Sequence, residues 1–154
     1  MVRQVRSQEE FHRALAIRLR VFVREQGVPR SIELDDDDQA AIHFLAKAGG
    51  RTVGTARLVM RNGQAKIGRM AVLKSYRGRG IGRELLKHAV RTARRRGAEK
   101  IFLHAQLPVV GFYAGMGFRQ VGRVFCEAGI PHRKMILARY SEFRNSESPR
   151  MRST

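Results

Sequence analysis

Apolar residues recur at helical spacing in the first part of the chain, and this pattern predicts an amphipathic helix there. The recurring positions are Phe11, Leu15, Leu19 and Phe22. Ser7 precedes them and Glu10 follows Ser7 by three places, which is the signature of a capping box. The helix should therefore begin at Ser7 and end before Gly27.

Short apolar runs bounded by turn residues predict strands on both sides of a second helix. Gly49-Gly50 and Asn62-Gly63 separate three runs that read as antiparallel strands, and Asn-Gly is a strong signal for a type I′ turn. From Ile81 to Arg96 the apolar residues again fall on one helical face. The predicted strands cover residues 2–5, 42–48, 52–60, 66–73, 101–105, 119–127 and 132–140, with a short helix around Phe112 and Tyr113.

A glycine-rich loop enters the second helix, with the sequence Arg77-Gly78-Arg79-Gly80-Ile81-Gly82-Arg83. A helix that opens on glycines presents backbone N–H groups without internal partners, and its dipole is positive at that end. Such a loop predicts a site for a phosphate or pyrophosphate group. The residues after Gly82 lack the lysine and hydroxyl of a nucleotide P-loop, and the glycine spacing differs from the dinucleotide fingerprint.

Length and composition indicate a globular protein. A chain of 154 residues with 43% hydrophobic residues predicts one domain with a sizeable core, and no apolar run approaches the length of a membrane span. The N-terminus lacks the apolar core of a signal peptide. The single cysteine, Cys126, excludes an intrachain disulfide and a cysteine-based metal cluster. We therefore expect a cytoplasmic location.

The charge distribution is strongly asymmetric. The formal net charge is +18, from 31 lysines and arginines against 13 acidic residues, which predicts attraction to anions. The densest basic cluster, Arg91 to Arg96, keeps nucleic-acid binding open as an alternative, although zinc patterns and base-stacking aromatic strands are missing from the sequence. Four consecutive aspartates, Asp35 to Asp38, should repel one another and be exposed unless a cation gathers them. We expect a solvated loop there, mobile when no acceptor amine is bound.

Two motifs together resemble the GNAT superfamily of N-acetyltransferases. Arg77, Gly80 and Gly82 match the pattern Arg/Gln-x-x-Gly-x-Gly/Ala of its acyl-CoA pyrophosphate loop, and the segment from Gly111 to Phe118 is similar to its Phe-Tyr-x-x-x-Gly-Phe segment. The segments 21–27 and 129–132 further resemble one branch of small bacterial acetyltransferases. The resemblance implies an α/β (α+β) domain over residues 1–140, with a central mixed, mostly antiparallel sheet that is flanked by helices and splayed at the CoA site. A polar, flexible tail would follow at 141–154.

The resemblance also implies roles for individual residues. The reaction would be acetyl transfer from acetyl-CoA, as co-substrate and without a metal, to a small amine that attacks directly in a ternary complex. Tyr113 would be the general acid that protonates the leaving thiolate, and His132 or Glu25 would be the base. Gln106 stands where many family members have a pantetheine-binding Asn. The implied acetyl-CoA contacts are Met70, Ala71, Val72, Arg77, Gly78, Arg79, Gly80, Ile81, Gly82, Arg83, Gln106 and Tyr113.

Other interpretations remain open at this point. The chain could sense acyl-CoA without turnover, or it could be a basic nucleic-acid-binding protein. We expect His43, His88 and His104 to be packing or surface residues, and direct transfer needs no covalent intermediate on Cys126. A homodimer is compatible with the resemblance, whereas no feature of the sequence predicts a membrane partner.

Overall fold

The computed structural model describes residues 1–138, so the predicted tail at 141–154 lies outside the described residues. The chain forms two compact units, Met1–Ile101 and the part from Phe102 onward. A single domain over residues 1–140 stays a prediction. Within residues 1–138, no helix combines the length and apolar character needed to cross a membrane.

The first helix of the first unit is capped by Ser7, as the sequence predicts. The Ser7 hydroxyl accepts a hydrogen bond from the Glu10 backbone N–H at 3.2 Å, and α1 begins at the next residue. The Glu10 carboxylate reaches the N–H of Arg6 instead of that of Ser7, so the predicted capping box is only half formed. The elements of the first unit are β1 (Val2–Gln4), α1 (Gln8–Arg18), a π-helix (Leu19–Glu25), α2 (Arg30–Glu33), a 3-10 turn (Asp36–Asp38), β2 (Ile42–Ala48), β3 (Arg51–Arg61), β4 (Gln64–Val72), a 3-10 turn (Lys74–Tyr76) and α3 (Ile81–Arg95).

The strands of the first unit pair in the order β1-β2-β3-β4, each antiparallel to its neighbour. Asn62 and Gly63 both have positive φ, as the predicted type I′ turn requires. Helix α3 buries one face against this sheet, and its fully buried residues are Leu85, Leu86, Ala89 and Ala93. Glycine at position 54 permits the close packing, because a Cβ there would lie 3.1 Å from Leu85 Cδ1.

Strand β4 carries a bulge just before its end. Gly68 pairs with Arg57 and Ala71 pairs with Thr55, so that two residues of β4, Arg69 and Met70, lie opposite one residue of β3. Arg69 has a φ of +48°, in the left-handed region that only glycine enters without strain. The bulge is the main irregularity in the pairing of β3 with β4.

The aspartate run is ion-paired and partly buried, which corrects the expectation of a solvated loop. Asp35 caps the 3-10 turn, and Asp38 is buried. Four arginines that are distant in sequence neutralise the run: Arg18 and Arg57 bind Asp38, Arg57 and Arg69 bind Asp35, and Arg61 binds Asp37. Glu33 joins them through Arg18 and Arg69. We call Glu33, Asp35 and Asp38 with Arg18, Arg57 and Arg69 the ionic cluster.

The second unit contains a small antiparallel sheet and a short helix. Its strands pair in the order β5-β7-β6, and the β6–β7 connection is a two-residue turn at Ala128 and Gly129, which is shorter than the sequence predicts. Helix α4 packs on β6. The elements are β5 (Lys100–Gln106), a 3-10 turn (Leu107–Val109), α4 (Val110–Gly115), β6 (Phe118–Glu127) and β7 (Ile130–Leu137).

Candidate active site

The glycine loop enters α3 in an open conformation. Gly78 and Gly80 have φ values of +78° and +81°, and a Cβ at either position would meet no atom within 4 Å. Gly80 is the N-cap of α3. Because glycine has no side chain, it cannot accept a hydrogen bond from the N–H groups of the first helical turn. The loop therefore offers backbone donors, at the positive end of a 15-residue helix, to a ligand that can approach closely.

Arg77 links the start of this loop to the end of the π-helix. Its Nη2 lies 2.8 Å from Glu25 Oε2, and its Nε donates to the Val72 carbonyl at 2.8 Å. Glu25, which the sequence offers as a candidate base, is thus ion-paired and holds Arg77 against the end of β4. Its geometry suits positioning of the loop better than proton transfer.

Met70, Ala71 and Val72 form the last part of β4, directly after Arg69 in the bulge. Ala71 and Val72 pair again with β3, opposite Thr55 and Gly54. Met70 lies within the bulge, where a residue is left outside the regular ladder of hydrogen bonds. The backbone contacts to a ligand that the resemblance implies for these three residues stay a prediction.

His132 lies in a cluster with Glu127 and His104 on the three strands of the second unit. The His132 Nδ1 is 2.6 Å from the Ile130 carbonyl oxygen, and because a carbonyl only accepts, Nδ1 carries the hydrogen. The remaining ring nitrogen, Nε2, lies 3.7 Å from Glu127 Oε2. Glu127 Oε1 accepts from His104 Nδ1 at 3.0 Å.

This arrangement gives His132 the geometry of a base. Nε2 holds the lone pair, and a proton accepted there would lie beside the Glu127 carboxylate. The Phe125 ring stacks on the imidazole with centroids 5.9 Å apart, and the side chain of His132 is buried. Glu127 belongs to no motif in the sequence and was therefore not predicted as a site residue. His104, expected to be a packing or surface residue, contacts it.

Tyr113 lies on α4, half buried between aromatic rings. Its ring makes edge-to-face contacts with Phe112 and Phe118, at centroid distances of 5.1 and 6.1 Å. Burial raises the pKa of the phenol above its ordinary value.

The other sequence candidates take different places. Gln106 ends β5 directly opposite His132 on β7, so the predicted pantetheine contact and the predicted base are cross-strand neighbours. His43 is buried, as a packing residue should be: its Nε2 donates to the Asp38 carbonyl at 2.9 Å, and burial lowers its pKa. Burial also lowers the pKa of His88, on the half-exposed side of α3. Cys126 is exposed on β6.

Comparison with known proteins shows the class of protein to which this fold belongs. The family model described as "Acetyltransferase (GNAT) domain" matches residues 3–139. The chain is 36% identical over 132 residues to an uncharacterised N-acetyltransferase, YjcF, of Bacillus subtilis, covering 85% of this chain and 94% of the relative. A crystal structure of an acyl-CoA N-acyltransferase from Pseudomonas aeruginosa superposes with a TM-score of 0.80 at 29% identity, over 90% of this chain and 99% of that one. The fold is therefore that of acyl-CoA N-acyltransferases, and the predicted α/β class is confirmed.

The chain belongs to the GNAT acetyltransferase family and is an acetyl-CoA-dependent N-acetyltransferase. A crystal structure of ElaA from Escherichia coli is similarly close in fold, with a TM-score of 0.81 at 28% identity, over 90% of this chain and 99% of that one. The resemblance inferred from the glycine loop and the segment 111–118 is thereby confirmed.

Proposed function

We propose that the protein moves the acetyl group of acetyl-CoA to a small primary amine, which attacks the thioester directly in a ternary complex. The observation that carries this proposal is the open glycine loop at the N-terminus of α3, where Gly78 and Gly80 leave room for a pyrophosphate. The net charge of +18 adds long-range attraction for the anionic co-substrate. The single cysteine supports a reducing compartment such as the cytoplasm.

In this proposal the residues of β4 and the glycine loop bind the co-substrate, which supplies the activated thioester. Backbone N–H groups from Gly78 to Arg83 hold the pyrophosphate. Backbone groups of Met70, Ala71 and Val72 hold the thioester carbonyl and the start of the pantetheine arm, and Gln106 contacts that arm. Holding both reactants in line supplies much of the rate.

His132 is the proposed base. The attacking nitrogen must lose a proton before it can form the C–N bond, and Nε2 of His132 has a lone pair to accept it. Glu127 then stabilises the imidazolium ion across 3.7 Å. Glu25 is the less favoured base because its carboxylate is already paired with Arg77.

Tyr113 is the proposed acid. When the C–N bond forms and the C–S bond breaks, the thiolate takes the phenol proton, and the second proton released by the nitrogen restores the phenol. Burial raises the pKa of the phenol, so the hydroxyl carries its proton at neutral pH. The edge-to-face packing of the ring against Phe112 and Phe118 fixes its position on α4, which suits this role.

The testing experiment is a panel of primary amines with acetyl-CoA, in which thiol release is followed with mass detection of the acetylated product. The proposal expects at least one amine to give stoichiometric product. Tight acetyl-CoA binding without any product across the panel would instead favour an acyl-CoA sensor. Duplex binding with a steep salt dependence and no affinity for CoA would favour a nucleic-acid-binding protein.

A further inference from the structure

The bulge in β4 contains a backbone conformation that costs free energy, so other contacts must stabilise it. Arg69 has a φ of +48° within a strand, although an L-residue in the left-handed region is less stable than in the right-handed one by about 1–2 kcal/mol. Glycine would occupy the position without strain, yet arginine stands there. Contacts of the Arg69 side chain must therefore offset the free energy that its backbone conformation costs.

The Arg69 side chain makes ion pairs that can provide this stabilisation. Nη2 lies 3.0 Å from Asp35 Oδ2, and Nε lies 3.1 Å from Glu33 Oε1. On the neighbouring strand, Arg57 precedes the bulge in the register and places Nη1 2.6 Å from Asp35 Oδ1. One carboxylate, that of Asp35, thus ties β3 to β4 at the bulge itself.

The carboxylates of Asp35 and Glu33 are themselves held in place by hydrogen bonds from other residues. Asp35 Oδ1 also accepts the backbone N–H of Asp37 at 3.1 Å, which anchors it to the 3-10 turn. Glu33 is buried and accepts from Arg18 Nε at 2.9 Å. Arg18 is fully buried and donates to Asp38 and to the Glu33 carbonyl as well. Arg69 therefore meets a rigid pair of acceptors.

We infer that Asp35 and Glu33 are positioning residues for acetyl transfer, because through Arg69 they hold the bulge that directs the Met70 peptide group at the thioester carbonyl. This inference rests on the proposed function of Met70. The ionic cluster then has a role beyond stability: it fixes the direction of a backbone donor. A cluster that only stabilised the fold would have no effect on recognition of the carbonyl.

Two ligands separate recognition of the carbonyl from binding of the rest of the co-substrate. S-ethyl-CoA has the length of acetyl-CoA and lacks only the thioester carbonyl oxygen. Because the protein is expected to donate one hydrogen bond to that oxygen, the wild type should bind acetyl-CoA about fivefold more tightly than S-ethyl-CoA in calorimetry. The affinity for S-ethyl-CoA reports the glycine loop, which no variant below alters.

Two substitutions at position 69 separate the backbone conformation from the ion pairs. Arg69→Ala and Arg69→Gly both remove the contacts to Asp35 and Glu33, but alanine populates the left-handed conformation about five- to thirtyfold less readily than glycine. We expect the preference for acetyl-CoA to fall to about onefold in Arg69→Ala and to be partly retained in Arg69→Gly. Asp35→Asn, a milder change, should lower the preference while the protein stays folded.

The matched control is Arg61→Ala, which removes an exposed arginine that pairs with Asp37 in the same aspartate run. It should keep the wild-type preference. Equal preferences in Arg69→Gly and Arg69→Ala, or a parallel loss for both ligands, would overturn the positioning role and leave the loop assignment intact. A wild-type protein that binds neither ligand would instead contradict the proposed function itself.

Discussion

Replacing Asp38 by Asn tests whether the ionic cluster stabilises the folded protein. Burial alone would raise the pKa of the Asp38 carboxyl, but hydrogen bonds and charge from Arg18, with a further hydrogen bond from Arg57, outweigh burial and lower the pKa to about 2. The ordinary value is 3.8. The difference corresponds to about 2 kcal/mol of stability, since one pKa unit is worth about 1.4 kcal/mol.

The sign and the pH window follow from the lowered pKa. The stabilisation is fully present above the unfolded pKa near 3.8 and is lost as the pH falls towards 2. We therefore expect the free energy of unfolding of Asp38→Asn to be about 2 kcal/mol lower than that of the wild type at pH 7. About half of that difference should disappear by pH 3.

The assay is urea unfolding at a series of pH values, because urea does not screen charges. Asp36→Asn is the matched control: it makes the same change in the same 3-10 turn, at an exposed residue. Its stability should stay within about 0.5 kcal/mol of the wild type. Equal stabilities of the two variants at pH 7, or a stability difference that stays constant as the pH falls, would show that the ionised Asp38 carboxylate does not stabilise the fold.

The remaining predictions concern the proposed acid and base, and each is read from kinetics with an amine that the panel identifies. Tyr113→Phe should lower kcat by about a hundred- to ten-thousandfold and leave the Kd of acetyl-CoA unchanged; an unaltered kcat would make the hydroxyl dispensable. His132→Ala should lower kcat over a similar range of about a hundredfold or more, with partial recovery at high pH where more of the amine is neutral; the exposed His12→Ala should have no effect, and a wild-type pH profile would make Glu25 the leading base. Glu127→Gln should lower kcat by about tenfold or more, because the imidazolium loses a charge partner 3.7 Å away; a rate equal to the wild type would remove Glu127 from the mechanism.

Local signals in the sequence predicted the features that depend on neighbouring residues. Ser7 capped α1, Asn62 and Gly63 formed their turn, and the apolar face of α3 was buried as its spacing indicated. In each case the determining contacts lie within a few residues, so a pattern along the chain carries the information.

The features that sequence reasoning missed depend on contacts between distant residues. The aspartate run looked like a repelling cluster because its partners, such as Arg18 and Arg69, stand 20 or more residues away. The left-handed conformation of Arg69 has no signal in the neighbouring sequence, and the partners of its side chain, Asp35 and Glu33, stand far away along the chain. Glu127 became visible only when strand pairing placed it beside two histidines.

Acetyl-CoA binding by a Gly80→Glu variant, measured by calorimetry beside Gly50→Glu, tests most directly whether the glycine loop holds the co-substrate. Both glycines have nearly the same φ, +81° and +79°, and neither would place a Cβ within 4 Å of another atom, so the two changes cost the fold alike. Only Gly80 lies where the pyrophosphate is proposed to bind, and there a carboxylate repels the ligand and fills its path. The account predicts that Gly80→Glu weakens binding by more than about tenfold while Gly50→Glu binds like the wild type. Wild-type affinity in a folded Gly80→Glu protein would contradict the central claim that this loop holds the co-substrate.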